Sequence, residues 1–164
     1  MIRKAEQRDC LDLAALSLQV WLHTYAIKGL RTQISQYALS TFTEDHFLKL
    51  LDQPTIDVRV FEDDGHLIGI IIVDLESTFN GCPNSGYEIV TLYISQHFQG
   101  TGIGRKLLKE VEGVYGASFW LSTWVNNSSA LEFYNKLGFE VIGELNFDLG
   151  GELHPNHVLS YSGI

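Results

Sequence analysis

The segment Gln99-Gly100-Thr101-Gly102-Ile103-Gly104 is rich in glycine and runs straight into residues of helical character. Backbone N–H groups left unpaired at a helix start, with the positive end of the helix dipole behind them, form a site for anions. Arg105, Lys106 and Lys109 add positive charge to a chain that is otherwise negative, which suits a polyanionic ligand. Phosphate binding is the chemistry this points to. A dinucleotide loop of the GxGxxG type would need glycine where Arg105 stands, and a P-loop lysine must precede Ser or Thr, whereas Lys106 precedes Leu107. The plainer alternative is a glycine turn that holds nothing. Tyr134 is a second candidate: a phenol of pKa about 10 keeps its proton at neutral pH and can give it to a leaving thiolate. The alternative is a core ring with a satisfied hydroxyl. His154 and His157 have a spacing that would face one metal on a helix, but Pro155 between them opposes a helix, so no metal site is expected. Cys10 and Cys82 show no Cys/His pairing, so no covalent nucleophile is expected either.

The elements that position these groups follow from periodicity. Arg3, Lys4 and Arg8 with the apolar residues after them read as the start of a helix, not as a signal peptide, because Asp9 and Asp12 interrupt the stretch. Asp9 is a candidate cap for a helix carrying Leu11, Leu13, Ala14, Leu16, Leu18, Val20 and Trp21 and reaching about Tyr25. A second helix is predicted from after Thr43 to before Pro54. The period then changes to two: Ile56, Val58 and Val60 alternate with polar residues, Asp63-Asp64-Gly65 turns, and Leu67 to Leu75 completes a hairpin. Tyr87 to Ser95 reads as a strand feeding the glycine loop, and Leu107, Leu108, Val111 and Tyr115 mark the inner face of the helix after it. Phe119 to Val125 is a further strand. Ser129 with Glu132 suggests a capping box for a short helix, and Gly138 suits its left-handed end. Strands beginning at Val141 and Ile142 and covering His157 to Tyr161 close the chain.

Composition bounds the function. A chain of 164 residues, 45% hydrophobic and 19% charged, can bury a core without disulfide or metal staples, and residues 1–164 are expected to form a single domain. The formal charge of −9, with no Lys/Arg block, excludes a duplex-binding protein, which needs a basic footprint. The most apolar run, Ile68 to Val73, is far short of the ~20 residues of a membrane span, and two cysteines fit a reducing compartment. No membrane partner and a cytoplasmic location are expected.

Two segments together carry a resemblance. Gln99, Gly102 and Gly104 match a QxxGxG loop preceded by the strand Glu88 to Ile94, and Asn127, Ala130, Phe133, Tyr134, Gly138 and Phe139 match NxxAxxFYxxxGF. In this order they resemble the GNAT superfamily of acetyl-CoA-dependent N-acetyltransferases over nearly the whole chain. The resemblance implies a mixed α/β fold, a sheet flanked by helices and splayed open between the strands ending near Ile94 and Val125, with acetyl-CoA in the gap. It implies that the backbone of Leu92, Tyr93 and Ile94 pairs with the pantetheine arm and that Gln99, Gly100, Thr101, Gly102, Ile103, Gly104 and Arg105 hold the pyrophosphate. By the same resemblance Asn127 touches the cofactor, Tyr134 is the general acid and Glu88 is a general base. A backbone N–H near Ile94 would stabilise the oxyanion. A primary amine of pKa about 10.4 must lose a proton before it attacks, and the alternative for Glu88 is a strand-face carboxylate in an ion pair. Direct transfer without a metal is implied, and some members of the superfamily form homodimers.

Trp21 and Tyr25, Leu92-Tyr93-Ile94, and Trp120-Leu121 followed by Trp124 further resemble the PaiA-type polyamine acetyltransferases. That implies Trp21, Tyr25 and Trp124 at the acceptor and a polyamine such as spermidine or spermine as substrate. Asp57, Asp74, Glu76, Asp148 and Glu152 are candidates for a cation-attracting wall. The other acceptors left open are a protein N-terminus or lysine and a small-molecule amine. A non-catalytic acetyl-CoA sensor is the alternative of another class.

Overall fold

The computed structural model describes residues 1–161. Its centre is a seven-stranded sheet made of β1 (Ile2–Lys4), β2 (Ile56–Asp63), β3 (His66–Asp74), β4 (Tyr87–Ile94), β5 (Phe119–Trp124), β6 (Glu140–Leu149) and β7 (Glu152–Tyr161), in the spatial order β1-β2-β3-β4-β5-β7-β6. The helices are α1 (Cys10–Tyr25), α2 (Thr32–Thr41), α3 (Glu44–Leu51), α4 (Ile103–Tyr115) and α5 (Ser128–Lys136). All strand pairs are antiparallel except β4 with β5.

The run Ile68 to Val73 is apolar throughout because β3 is covered on both faces. Ile70 and Ile72 pack with Leu13, Leu16 and Val20 of α1 and Phe47 of α3, while Ile71 and Val73 pack with Leu107 and Val111 of α4. A strand with one wet face would alternate instead. The hairpin turn falls at Asp64 and Gly65, both with positive φ, and Thr43 caps α3 by accepting from the His46 N–H at 3.2 Å.

Four expectations are corrected. The N-terminal residues do not start a helix: Ile2–Lys4 pairs with Arg59 to Phe61 of β2. Asp9 does not cap α1 with its side chain; its carboxylate instead takes a two-pronged hydrogen bond from Arg3 at 2.7 and 2.9 Å and one from the Glu6 N–H. Helix α2, which the sequence reading lacked, buries only Ile34 and Ala38, too few for a readable stripe. The last strand starts at Glu152, well before His157, because Gly150 and Gly151 take positive φ and turn β6 directly into β7. Among the described residues, no helix is long and apolar enough to cross a membrane.

Candidate functional site

Strands β4 and β5 run parallel for only two rungs, Tyr87 opposite Phe119 and Glu88 opposite Trp120. Beyond them the strands separate and the sheet opens into a cleft of about 1070 Å³. Local register contributes: Ile72 faces Thr91 while Val73 faces Ile89, so Val90 is an extra residue in β4. Such a bulge bends its strand and sharpens the twist. Ile89 to Ile94 then lie along one wall of the cleft, their β5-facing backbone without a strand partner, and Leu121 to Trp124 lie along the other.

The glycine loop forms the mouth. The Gln99 amide donates to the Ile94 carbonyl at 3.1 Å and Thr101 Oγ1 donates to the Phe98 carbonyl at 2.6 Å, so both side chains hold the loop's shape. Gly102 sits at φ +86°, where an L side chain is strained, directly before α4. The N–H groups of the first turn of α4 have no intrahelical acceptor and face the cleft with Gly100, Ile103, Gly104 and Arg105. Gly104 is needed for packing: an added Cβ would lie 3.2 Å from the Phe133 ring of α5. Asn127 also lines the cleft, and its Oδ1 caps α5 by accepting from the Ala130 N–H at 3.2 Å. The Ser129 capping box is therefore corrected; the N-cap is Asn127, two residues earlier than that box requires, and Glu132 pairs with Lys136 at 2.6 Å. Gly138 does end the helix at positive φ, as expected.

Tyr134 is 8% exposed, packs beside Phe133 and Phe139, and lines the cleft. Burial alone pushes its hydroxyl well above the ordinary phenol value. Tyr93 shares the cleft and is likewise raised, by burial first and then by the neighbouring Tyr25, Tyr37 and Tyr134. Glu88 is one residue short of the cleft wall, which begins at Ile89. Ser77 Oγ donates to Glu88 Oε2 at 2.5 Å, and burial raises the carboxyl's pKa against that hydrogen bond, with Asp74 adding to the rise. Neither cysteine lines the cleft, and Cys10 is buried with its thiol pushed up by burial.

At the other end of the cleft, Trp21, Tyr25 and Trp124 come together. Tyr25 stacks on Trp21 with centroids 4.6 Å apart and on Trp124 at 5.0 Å, and Tyr37 extends the pile at 4.9 Å from Trp21. Burial raises the Tyr25 hydroxyl to about 12. The acidic wall does not form. Asp57 binds Arg59 and Tyr115, Asp74 accepts from the Glu76 and Ser77 N–H groups, Asp148 accepts from the Gly151 N–H, and Glu152 binds Arg31 at 2.6 and 2.7 Å. Glu76 does not reach the cleft either. Four of the five carboxylates are thus held by donors outside the cleft lining. Among the described residues lining the cleft, Glu132 is the only carboxylate.

Sequence reasoning missed Tyr93 as a ring of the site, and it missed Tyr37, Phe147 and His154 as the shell around the aromatic pile. His154 and His157 lie in β7, where a spacing of three puts them on opposite faces. The one available signal was the aromatic content of the segments flanking Trp21 and Trp124.

Residues 19–139 match the family model described as the acetyltransferase (GNAT) family. The chain belongs to that family. It is thus an acyltransferase that draws on acetyl-CoA. It is 24% identical, over 96% of its own length and 94% of the relative's, to an uncharacterized N-acetyltransferase encoded in the pepI 3′ region of Lactobacillus delbrueckii subsp. lactis. It is 30% identical to a probable spermine N(1)-acetyltransferase of Bacillus subtilis subsp. natto, over 52% of this chain and 60% of that one. Among solved structures it is similar to PaiA N-acetyltransferase from Thermoplasma acidophilum in complex with coenzyme A, with TM-score 0.77, 23% identity and 98% of each chain covered. The mixed sheet is the fold this chain shares with that solved structure.

Proposed function

We propose that this chain transfers the acetyl group of acetyl-CoA directly to a primary amine, using the cleft between β4 and β5. The observation that carries this reading is the two-rung junction, which leaves the backbone of Leu92, Tyr93 and Ile94 unpaired beside a glycine loop open to an anion. An extended arm with its own amides supplies the missing strand partner, and the loop N–H groups from Gln99 to Gly104, with Arg105, take the pyrophosphate. Asn127 adds a contact at the same wall.

Tyr134 gives its proton to the departing sulfur, which its raised pKa permits because the phenol stays protonated throughout neutral pH. Glu88 takes a proton from the incoming ammonium through water, since the carboxylate sits just below the cleft wall. A backbone N–H near Ile94 faces the carbonyl oxygen as it gains charge. The names of relatives favour a polyamine acceptor such as spermine, whereas the dispersal of the acidic residues favours an acceptor of lower charge. The test is release of coenzyme A thiol with a panel of amines, N-terminal peptides and lysine peptides. Turnover with at least one amine is expected; tight coenzyme A binding without turnover would instead mark the chain as an acetyl-CoA sensor.

A further inference from the structure

Asn156 in β7 lies opposite Trp124 on one side and Leu145 on the other. It lines the cleft, yet its side-chain Oδ1 is sealed from solvent and has no hydrogen-bond partner among the described residues. Leaving a buried acceptor unsatisfied costs about 1–3 kcal/mol, and a ligand in the adjoining cleft is one source of the missing donor. Its surroundings are apolar and aromatic: Trp124 stacks on Tyr25, and the His154 ring meets Trp124 edge-on at 5.6 Å. The carboxylates nearest this end are already paired: Glu152 binds Arg31 and lies 2.9 Å from His154 Nε2, and Glu132 on α5 is tied to Lys136.

Charge decides what such a pocket can accept. A polycation stripped of water needs several anions to replace its hydration, and the one carboxylate beside the His154 ring, Glu152, is already bound by Arg31. A neutral oxygen between aromatic walls has a further effect on a bound amine. A neighbouring carboxylate would stabilise the ammonium and raise its pKa, whereas burial beside an uncharged acceptor lowers it. The arrangement therefore helps to produce the free amine that attacks a thioester.

We infer that the acceptor is a singly charged primary amine carried on an apolar or aromatic body, its amino N–H donating to Asn156 Oδ1 beside Trp124. This rests on the acetyltransferase reading above. The test compares 2-phenylethylamine with spermidine in wild-type protein, Asn156→Leu and Asn156→Asp, with coenzyme A affinity and melting temperature measured for each. The wild type should show kcat/KM for 2-phenylethylamine at least about tenfold above that for spermidine. Asn156→Leu should raise KM for 2-phenylethylamine about tenfold, as loss of one hydrogen bond of about 1.4 kcal/mol implies, with coenzyme A affinity unchanged. Asn156→Asp should restore KM and move the acid limb of the kcat–pH profile up by about one unit, as a carboxylate beside the amine demands. A preference for spermidine, an unchanged KM in Asn156→Leu, or an unmoved limb in Asn156→Asp would each overturn the inference while leaving the acetyltransferase reading intact. No acetylation of any amine, with no binding of coenzyme A, would overturn both.

Discussion

A phenol serves as a general acid only while it keeps its proton and has a base to receive it. Tyr134 meets the first condition by burial, and it lines the cleft. Tyr134→Phe is expected to lower kcat about 100-fold while leaving the coenzyme A dissociation constant within about twofold, read by steady-state kinetics and calorimetry. Parallel losses in both would remove the acid role. Glu88 carries the opposite sign of argument. Burial raises its folded pKa, so the folded protein holds this proton to higher pH than the unfolded chain does. The stability contributed is present below the unfolded value of about 4.3 and is lost as pH rises through the folded value. Denaturant titrations at about pH 4 and about pH 7 should show a smaller difference in Glu88→Gln than in the wild type, and the variant should also lose turnover.

The elements set the site through backbone conformation more than through side chains. Gly102 sits in the left-handed region at the start of α4, so Gly102→Ala imposes about 1–2 kcal/mol of strain on the phosphate loop. The expected result is a KM for acetyl-CoA raised about tenfold, with kcat at saturation changed far less; an unchanged KM would separate the loop from cofactor binding. The glycine loop, the α5 motif and the hairpin of β2 and β3 were readable because each has a steric or periodic cause confined to one segment. The rest depends on distant partners. Three residues of β1 form a strand only because β2 offers an edge. Helix α2 is held by Ile34 and Ala38 against Trp21 and Leu149. The bulge at Val90 comes from β3 and β4 pairing out of step. The acidic residues looked like one wall in the sequence, but the fold places none of the five in the cleft lining, and the buried Asn156 oxygen becomes visible only when β5, β6 and β7 are assembled.

Across the whole molecule, the two halves of the sheet share one buried cluster, from Ile71 and Val73 of β3 through Leu107 and Val111 of α4 to Phe119, Leu121 and Leu159, and they part where β4 and β5 diverge. Beyond the two rungs of β4 and β5, Tyr87 packs against Phe119, Trp120 Nε1 donates to the Ser77 carbonyl at 3.4 Å, Tyr25 stacks on Trp124, and Arg31 pairs with Glu152. A ligand that fills the gap joins both halves and binds the folded state alone. Coenzyme A at 100 times its dissociation constant should stabilise the protein by about 2.7 kcal/mol, a rise in melting temperature of about 5–10 °C for a chain of this size. A thermal shift assay with no rise would place the ligand outside the gap.

The parted strands also bear on how the empty protein behaves in company. Two stretches of bare main chain, facing each other and lacking a third ribbon between them, are an invitation to any extended polypeptide of similar pleat. Molecules starved of their thioester should therefore self-associate more readily than charged ones, and light scattering of the empty and coenzyme-loaded forms would reveal the cosubstrate acting as a guardian against clumping.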